Sequence, residues 1–395
     1  MQHTSKHRVA VAVTFLVHGI VVGNWIARVP AVRDKLALSP AFLGFSLLGA
    51  AVGALGGMPL TARLCNAYGS RIVTRLASLA FCASLVLPGL VAWKWLLFPA
   101  LIVYGAAAGA MDVSMNTQGA DVERLRGKPT MSFFHALFSI GGMIGAATGA
   151  LAAQRNIAPR DHLALAAILL APVVAAVGPW LVPGHDQAWE GPFRLSAMRG
   201  ALLGLSVISF CILLGEGAMA DWSAVYLRDI AGASAGVAGL GYSVFSATMA
   251  LGRLAGDSLT ARIGAVAVVR YGALMSAFGL AGALIAGTTT AAMVGFGIVG
   301  AGFASIFPNM CSAAAKQPKV TPAVAIAAVS TTGYLGFLVG PPLIGVIANA
   351  ATLRVSLLLV VMLSGVAAML SRAARTPGRR GLQDIKDVVR PASHR

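Results

Sequence analysis

Apolar runs of about twenty residues recur from one end of this chain to the other, and they limit its fold more than any other feature. A helix needs about that length to cross the hydrocarbon of a bilayer. Of the 395 residues, 57% are hydrophobic and only 11% are charged, whereas a soluble domain carries roughly a quarter charged residues. Length alone would fit two or three soluble domains. Domains of that kind cannot hide this many apolar runs from water, so an all-α membrane protein is expected.

Polar residues, prolines and glycines divide the chain into twelve expected spans: 9–29, 40–63, 71–92, 95–118, 131–153, 162–182, 200–227, 236–261, 267–287, 290–314, 322–348 and 352–372. The opening MQHTSKHR and the run after it have the outline of a signal peptide. The apolar part is too long and no small-residue cleavage site follows cleanly, so it is taken as the first membrane helix. The weakest breaks are the uncharged turn at 288–290 and the break resting on Asn349, Thr352 and Arg354.

The formal charge of +17 first suggests nucleic acid as a partner, but its distribution points elsewhere. With both termini on one side, that side holds twenty-one lysines and arginines and the other holds eight. Basic loops stay in the cytoplasm. Both termini are therefore expected to be cytoplasmic and the protein to lie in a bacterial inner (plasma) membrane, with the lipid bilayer, not nucleic acid, as its partner. Cys65, Cys82, Cys211 and Cys311 are far apart and lie in or beside apolar runs, without a CxxC or a His/Cys cluster. No disulfide framework, metal site or cofactor is expected.

The stretch PGHDQAWEGPFRLSAMRG lies midway and is polar and marked by Pro and Gly. The expected organisation is an N-terminal six-helix half at 1–182, a cytoplasmic linker at 183–199, a C-terminal half at 200–372 and a basic tail at 373–395. The two halves repeat. GMPLTAR from Gly57 matches GDSLTAR from Gly256, Asn24-Trp25 falls opposite Asp221-Trp222, Asn116 opposite Asn309, and Gly141 and Gly145 opposite Gly336 and Gly340. These matches come in order, in equivalent helices, at offsets of 193 to 199 residues.

Two six-helix halves with a cytoplasmic linker resemble the major facilitator superfamily over essentially the whole chain. The loops at Gly57…Arg63…Gly69-Ser70-Arg71 and Gly252-Arg253…Gly256-Asp257…Arg262 resemble its motif A, and GYLGFLVGPPLIG resembles its Gly-Pro helix-packing motif. GAMDVSMNTQG, FFHALFSIGG and EGAMADWSAVYLRD are similar to the bacterial MosC/YbjJ-like branch. The resemblance implies twelve transmembrane helices in two pseudo-symmetric halves, with spans 1, 4, 7 and 10 lining a central cavity. It also implies gating by Arg63, Arg71, Arg253, Asp257 and Arg262. Asp257 can pair with Arg253 four residues before it, or face the N-terminus of span 11. Met58 stands opposite Asp257 in the first half, a departure from the motif that leaves the first half to gate differently.

A charge at mid-membrane costs about 2.5–3.5 kcal/mol on insertion scales, so such residues face cavities or partners. Interior polar residues concentrate in spans 1, 4, 7 and 10: His18, Asn24 and Arg28, then Asp112, Asn116 and Gln118, then Glu216 and Asp221, then Ser305 and Asn309. Asp112 and Asn116 share a helix face, as do Ser305 and Asn309, whereas Glu216 and Asp221 lie about 140° apart. Glu216, the deeper of the pair, is the first candidate for proton coupling, with Asp112 and Asp221 beside it. The alternative for each is a structural hydrogen bond between helices. Asp221 equally suits a solute contact or the outer gate. Candidates for substrate binding are His18, Asn24, Trp25, Arg28, Asn116, His135, Trp222 and Asn309. Arg28 either points into the cavity or snorkels outward.

No GxxxxGK followed by Ser or Thr occurs, and no nucleophile–base pair or metal cluster stands out, so neither ATP coupling nor enzyme chemistry is expected. The expectation is a monomeric, proton-coupled secondary transporter of a small polar solute, such as a sugar or cyclitol derivative. One rival is a multidrug exporter of lipophilic cations, to which residues such as Met111 and Met115 lend themselves. Another is a transporter-like sensor that binds and moves nothing.

Overall fold

The computed structural model describes residues 2–126, 130–183, 200–314, 316–317 and 322–375. From Gly184 the expected linker, and from Thr376 the expected tail, lie outside the described residues, as do Lys128 and Lys319.

Twelve helices among the described residues are long and apolar enough to cross a membrane. They are α1 Ser5–Lys35, α2 Pro40–Cys65, α3 Ser70–Leu90, α4 Lys94–Arg126, α5 Phe133–Gln154 and α6 Pro159–Trp180. The second six are α7 Ala201–Asp229, α8 Ala235–Ile263, α9 Ala265–Ala286, α10 Thr289–Ala314, α11 Ala328–Ala350 and α12 Leu353–Ala374. The twelve expected spans are all present, but two run longer than expected. α1 continues past Pro30 because Val29 and Val32 stay buried, and Arg33 and Lys35 in its last turn suit the helix C-terminus. α4 extends to Arg126, since its closing turns are built from good helix formers and bury Val122 completely.

The packing shows the duplication. In the first half α1 packs along α5, and α2 along α4; in the second, α7 packs along α11, and α8 along α10. The halves meet through α2 against α11 and α5 against α8, contacts that exchange under a pseudo-twofold axis. The turns repeat as well. Gly69 between α2 and α3 has φ 82°, and Gly264 between α8 and α9 has the same φ, a left-handed conformation that side-chain-bearing residues rarely adopt. Gly69 belongs to the first motif-A-like loop, and Gly264 follows Arg262, the last residue of the second.

The α2–α11 seam depends on small residues. A Cβ on Gly44 would lie 2.5 Å from the carbonyl oxygen of Pro341, and one on Gly345 would lie 2.7 Å from that of Pro40. Gly44→Val is therefore expected to force the helices apart at this end and shift the protein toward the conformation open there. Cysteine labelling of that end, in wild type and variant, checks this. Equal labelling would mean that the seam is not held by close glycine packing.

Candidate functional site

α10 is interrupted between Phe303 and Ile306. Discontinuous helices are where transporters expose polar backbone and side chains at mid-membrane. Next to this break, helices of both halves enclose a cavity of about 350 Å³. His18 of α1, Asp112 and Met115 of α4, and His135 and Phe138 of α5 line it from the first half. Glu216 of α7, Arg253 of α8, Phe307 of α10, and Tyr334 and Phe337 of α11 line it from the second. His135, Arg253 and Phe307 also border a second chamber of about 280 Å³, walled by Met131, Asp257, Ser305, Asn309 and Cys311. The two chambers share these three residues, and the second is walled by residues near the terminal-side ends of α5, α8 and α10.

The polar groups of the cavity hold one another in place. Arg253 bridges the halves: its Nη2 stands 3.6 Å from Glu216 Oε2, and its Nη1 donates to Ser139 Oγ at 2.8 Å. Among the described residues Asp112 is met by neutral partners. Asn116 Nδ2 donates to its Oδ1 at 3.1 Å, and Tyr334 OH approaches its Oδ2 at 3.5 Å, the outer edge of hydrogen-bond range. Asp112 and Asn116 do share the helix face expected from their spacing. His18 Nδ1 lies 3.4 Å from Met115 Sδ, and its ring meets Phe81 and Phe138 edge-on. The cavity thus holds two carboxylates, one guanidinium and two imidazoles between apolar walls.

Several expected residues lie elsewhere. Arg253 turns into the cavity and does not pair with Asp257, which is exposed at the rim of the outer chamber. The carboxylate on the neighbouring helix α7 offers a half-buried arginine more than one facing water. Asn24 does not face the cavity: close packing of α5 on α1 directs it to Thr148, whose Oγ1 is 3.2 Å from Asn24 Oδ1, and its amide donates to Ile20 O. Trp25 packs beside Tyr104 within the first half, and Trp222 is fully buried, so neither tryptophan lines the cavity. Asp221 is half-buried and also lies outside the lining. Arg28 neither enters the cavity nor snorkels. It is buried and donates to the carbonyl of Ile157. Asn309 lines the terminal-side chamber and donates to Thr260 Oγ1 at 3.0 Å. Of the gating candidates, Arg71 donates to Pro179 O at 2.7 Å, while Arg63 and Arg262 are exposed.

Two polar groups of the site, Tyr334 and Ser139, carry no signal in the sequence. Tyr334 sits in the glycine-rich stretch of α11, whose small residues drew attention to packing and away from its hydroxyl. Ser139 is one hydroxyl in the largely apolar run of α5, with nothing in its spacing to set it apart.

At the opposite end the halves are fastened by charge. Arg33 at the end of α1 forks onto Asp229 at the end of α7. Asp34 meets Arg228 at 2.9 Å and Arg33 at 3.1 Å. Arg33-Asp34 and Arg228-Asp229 are the same dipeptide at equivalent places in the two halves, so each half supplies one arginine and one aspartate to a reciprocal clasp. The clasp holds the two halves together at this end.

The fold is shared with solved transporters. A bacterial homologue of the human lysosomal transporter Spinster, in an inward-facing and occupied conformation, superposes with a TM-score of 0.74 at 14% identity, covering 93% of this chain and 95% of that one. The E. coli fucose:proton symporter FucP superposes with a TM-score of 0.62 at 15% identity, covering 94% and 100%. Likeness at this identity concerns the fold alone. The family model of the Major Facilitator Superfamily matches residues 205–394. MosC, a membrane protein of Rhizobium meliloti, is 32% identical over 92% of this chain and 88% of its own length. An uncharacterized MFS-type transporter of Yersinia pestis is 35% identical over 93% of this chain and 96% of its own. With that identity along nearly all of both chains, on a fold of twelve membrane helices in two pseudo-symmetric halves, this multi-pass membrane protein belongs to the major facilitator superfamily, a family of transporters and not of enzymes.

Proposed function

We propose that the protein carries a small polar solute, sugar- or cyclitol-like, across a bacterial inner membrane by alternating access coupled to protons. The observation that carries this reading is the central cavity. Both halves wall it, and it gathers Asp112, Glu216, Arg253, His18 and His135 in about 350 Å³. That is near the small end of the range for ligand pockets, about 300–1,000 Å³. A solute of that size with several hydroxyls can exchange hydrogen bonds with this set.

The two carboxylates divide the work. Asp112, met by neutral groups, carries the proton. Glu216 holds Arg253 until solute competes for the guanidinium, which lets rocking of α8 against α5 follow occupancy. Arg253 is thus a cavity residue in this reading, and gating at the far end falls to the Arg33–Asp229 and Asp34–Arg228 clasp. The excess of lysine and arginine on the terminal side supports cytoplasmic termini, and hence an inward-open form.

The apolar walls contributed by Met115, Phe138, Phe307 and Phe337 favour a second reading, an exporter of lipophilic cations. A thermal-shift screen of purified protein with sugars, cyclitols, amino acids, carboxylates and lipophilic cations separates the two, because a ligand of the folded state raises the melting temperature by mass action. Stabilisation by sugars or cyclitols is expected; stabilisation by unrelated cations alone would move the assignment to export. Binding without any flux in liposomes would make the protein a sensor. Glu216→Gln removes the competitor for the Arg253 guanidinium and is expected to tighten the stabilising ligand by about tenfold, the scale of one charge-assisted hydrogen bond. An unchanged affinity would remove Glu216 from the binding site.

A further inference from the structure

A second pocket, sharing no lining residue with the central cavity, lies on the seam between the halves at the clasped end. It encloses about 250 Å³. Arg28 of α1 and the α5–α6 turn at Asn156, Ile157 and Pro159 line it from the first half, and Arg228 and Ala235 from the second. Its charge is one-sided: two arginines line it and no acidic residue does.

Arg28 is the unusual member. It is 2% exposed. One nitrogen donates to Ile157 O, while its Nε and Nη1 are buried without a partner among the described residues. A guanidinium has five donors and no acceptors. Burying it with two nitrogens unmatched is costly unless something negative completes the set. α6 adds to the field here. It begins at Pro159, on the pocket wall, with Ala158 as its cap residue and no side-chain cap, while Asp161 in its first turn pairs with Arg160 and offsets part of the positive charge of this helix end. Arg228 is engaged by Asp34 through one nitrogen, which leaves its other donors for a second acceptor.

We propose that this pocket binds an oxyanion, a phosphate or carboxylate group, between Arg28 of one half and Arg228 of the other. Its source is either a free anion at the far side of the membrane or the headgroup of an anionic lipid. Two donors on a planar fork match two oxygens of either group. The lining comes from both halves, so the site exists complete only while the clasped end is closed. A bound anion therefore stabilises the form whose cavity opens to the terminal side, by its differential affinity for the two forms. That consequence for state preference rests on the alternating-access reading above; binding of the anion does not.

The test uses the full-length protein in neutral detergent at constant ionic strength. Thermal unfolding is followed with inorganic phosphate, with a short-chain phosphatidylglycerol, and with chloride as the control. Phosphate or the lipid is expected to raise the melting temperature where chloride does not. Response to phosphate assigns a free anion, and response to phosphatidylglycerol alone assigns a lipid. Arg28→Gln is expected to abolish the response, and Arg228→Gln, at a half-exposed position, to weaken it by about tenfold. The second variant serves if the first does not fold. Glu216→Gln, in the central cavity, is expected to keep the response, so a failed solute assignment leaves this result standing. Absence of any shift with both probes, or a shift that needs no more ligand in Arg228→Gln than in wild type, would overturn the proposal.

Discussion

Replacing Asp112 with asparagine is expected to abolish solute accumulation driven by a pH gradient while leaving exchange of solute for solute intact. The two effects separate because asparagine keeps the hydrogen-bonding shape of the group but cannot gain or lose a proton. Asn116 and Tyr334 donate to the wild-type carboxylate, and the new amide oxygen can still accept from one of them. With one proton per solute, a gradient of one pH unit is worth about 1.4 kcal/mol, or about tenfold accumulation. The variant should reach the same internal and external concentration at any gradient. Radiolabelled solute in proteoliposomes reads both quantities. Gradient-driven accumulation equal to wild type would take the proton away from Asp112, and loss of exchange as well would make Asp112 a solute ligand.

The second large effect is expected at the clasp. Asp229→Arg sets an arginine against Arg33, where wild type has a forked ion pair, and leaves Asp34 and Arg228 as the remaining bond across the seam. These side chains are 15–38% exposed, so each pair is worth about 1 kcal/mol at most. Losing one pair and adding like-charge repulsion shifts the balance of the two forms by about 2 kcal/mol, or roughly thirtyfold. Because both forms of a carrier are near in energy, a shift of this size moves most molecules to the form open at the far end. Spin labels on the turns after α1 and α7 should report the separation. The charge swap Arg33→Asp with Asp229→Arg should restore the wild-type distance. A far end that stays closed in the single variant would mean that apolar packing, not charge, holds it.

The number and type of the elements were legible because each span carries its own evidence, a run of apolar residues long enough for the bilayer. The pairing of the halves was legible for a related reason: duplication leaves paired landmarks, and Gly69 and Gly264 still make the same left-handed turn. Direction around a helix was harder to read. Asn24 and Arg28 occur in the right helix at the right depth for a cavity, yet Asn24 turns to Thr148 of α5 and Arg28 to the carbonyl of Ile157, away from the central cavity. Periodicity tells which residues share a face, as with Asp112 and Asn116, but not what the face meets. The same limit explains Arg253. Its spacing from Asp257 suits a pair along one helix, but the stronger partner, Glu216, lies on another helix about forty positions earlier. The clasp was hidden for a similar reason, since Arg33 and Asp229 are 196 residues apart and each looks like an ordinary helix-end charge.

Proton movement during solute entry tests the account most directly. Proteoliposomes holding a pH-sensitive dye, with no gradient imposed, receive the solute that stabilises the purified protein. The account predicts that solute entry changes the internal pH in wild type, in proportion to the solute moved, and that Asp112→Asn moves solute without changing it. Solute entry with no change of internal pH in wild type would contradict proton coupling and leave a carrier driven by the solute gradient alone.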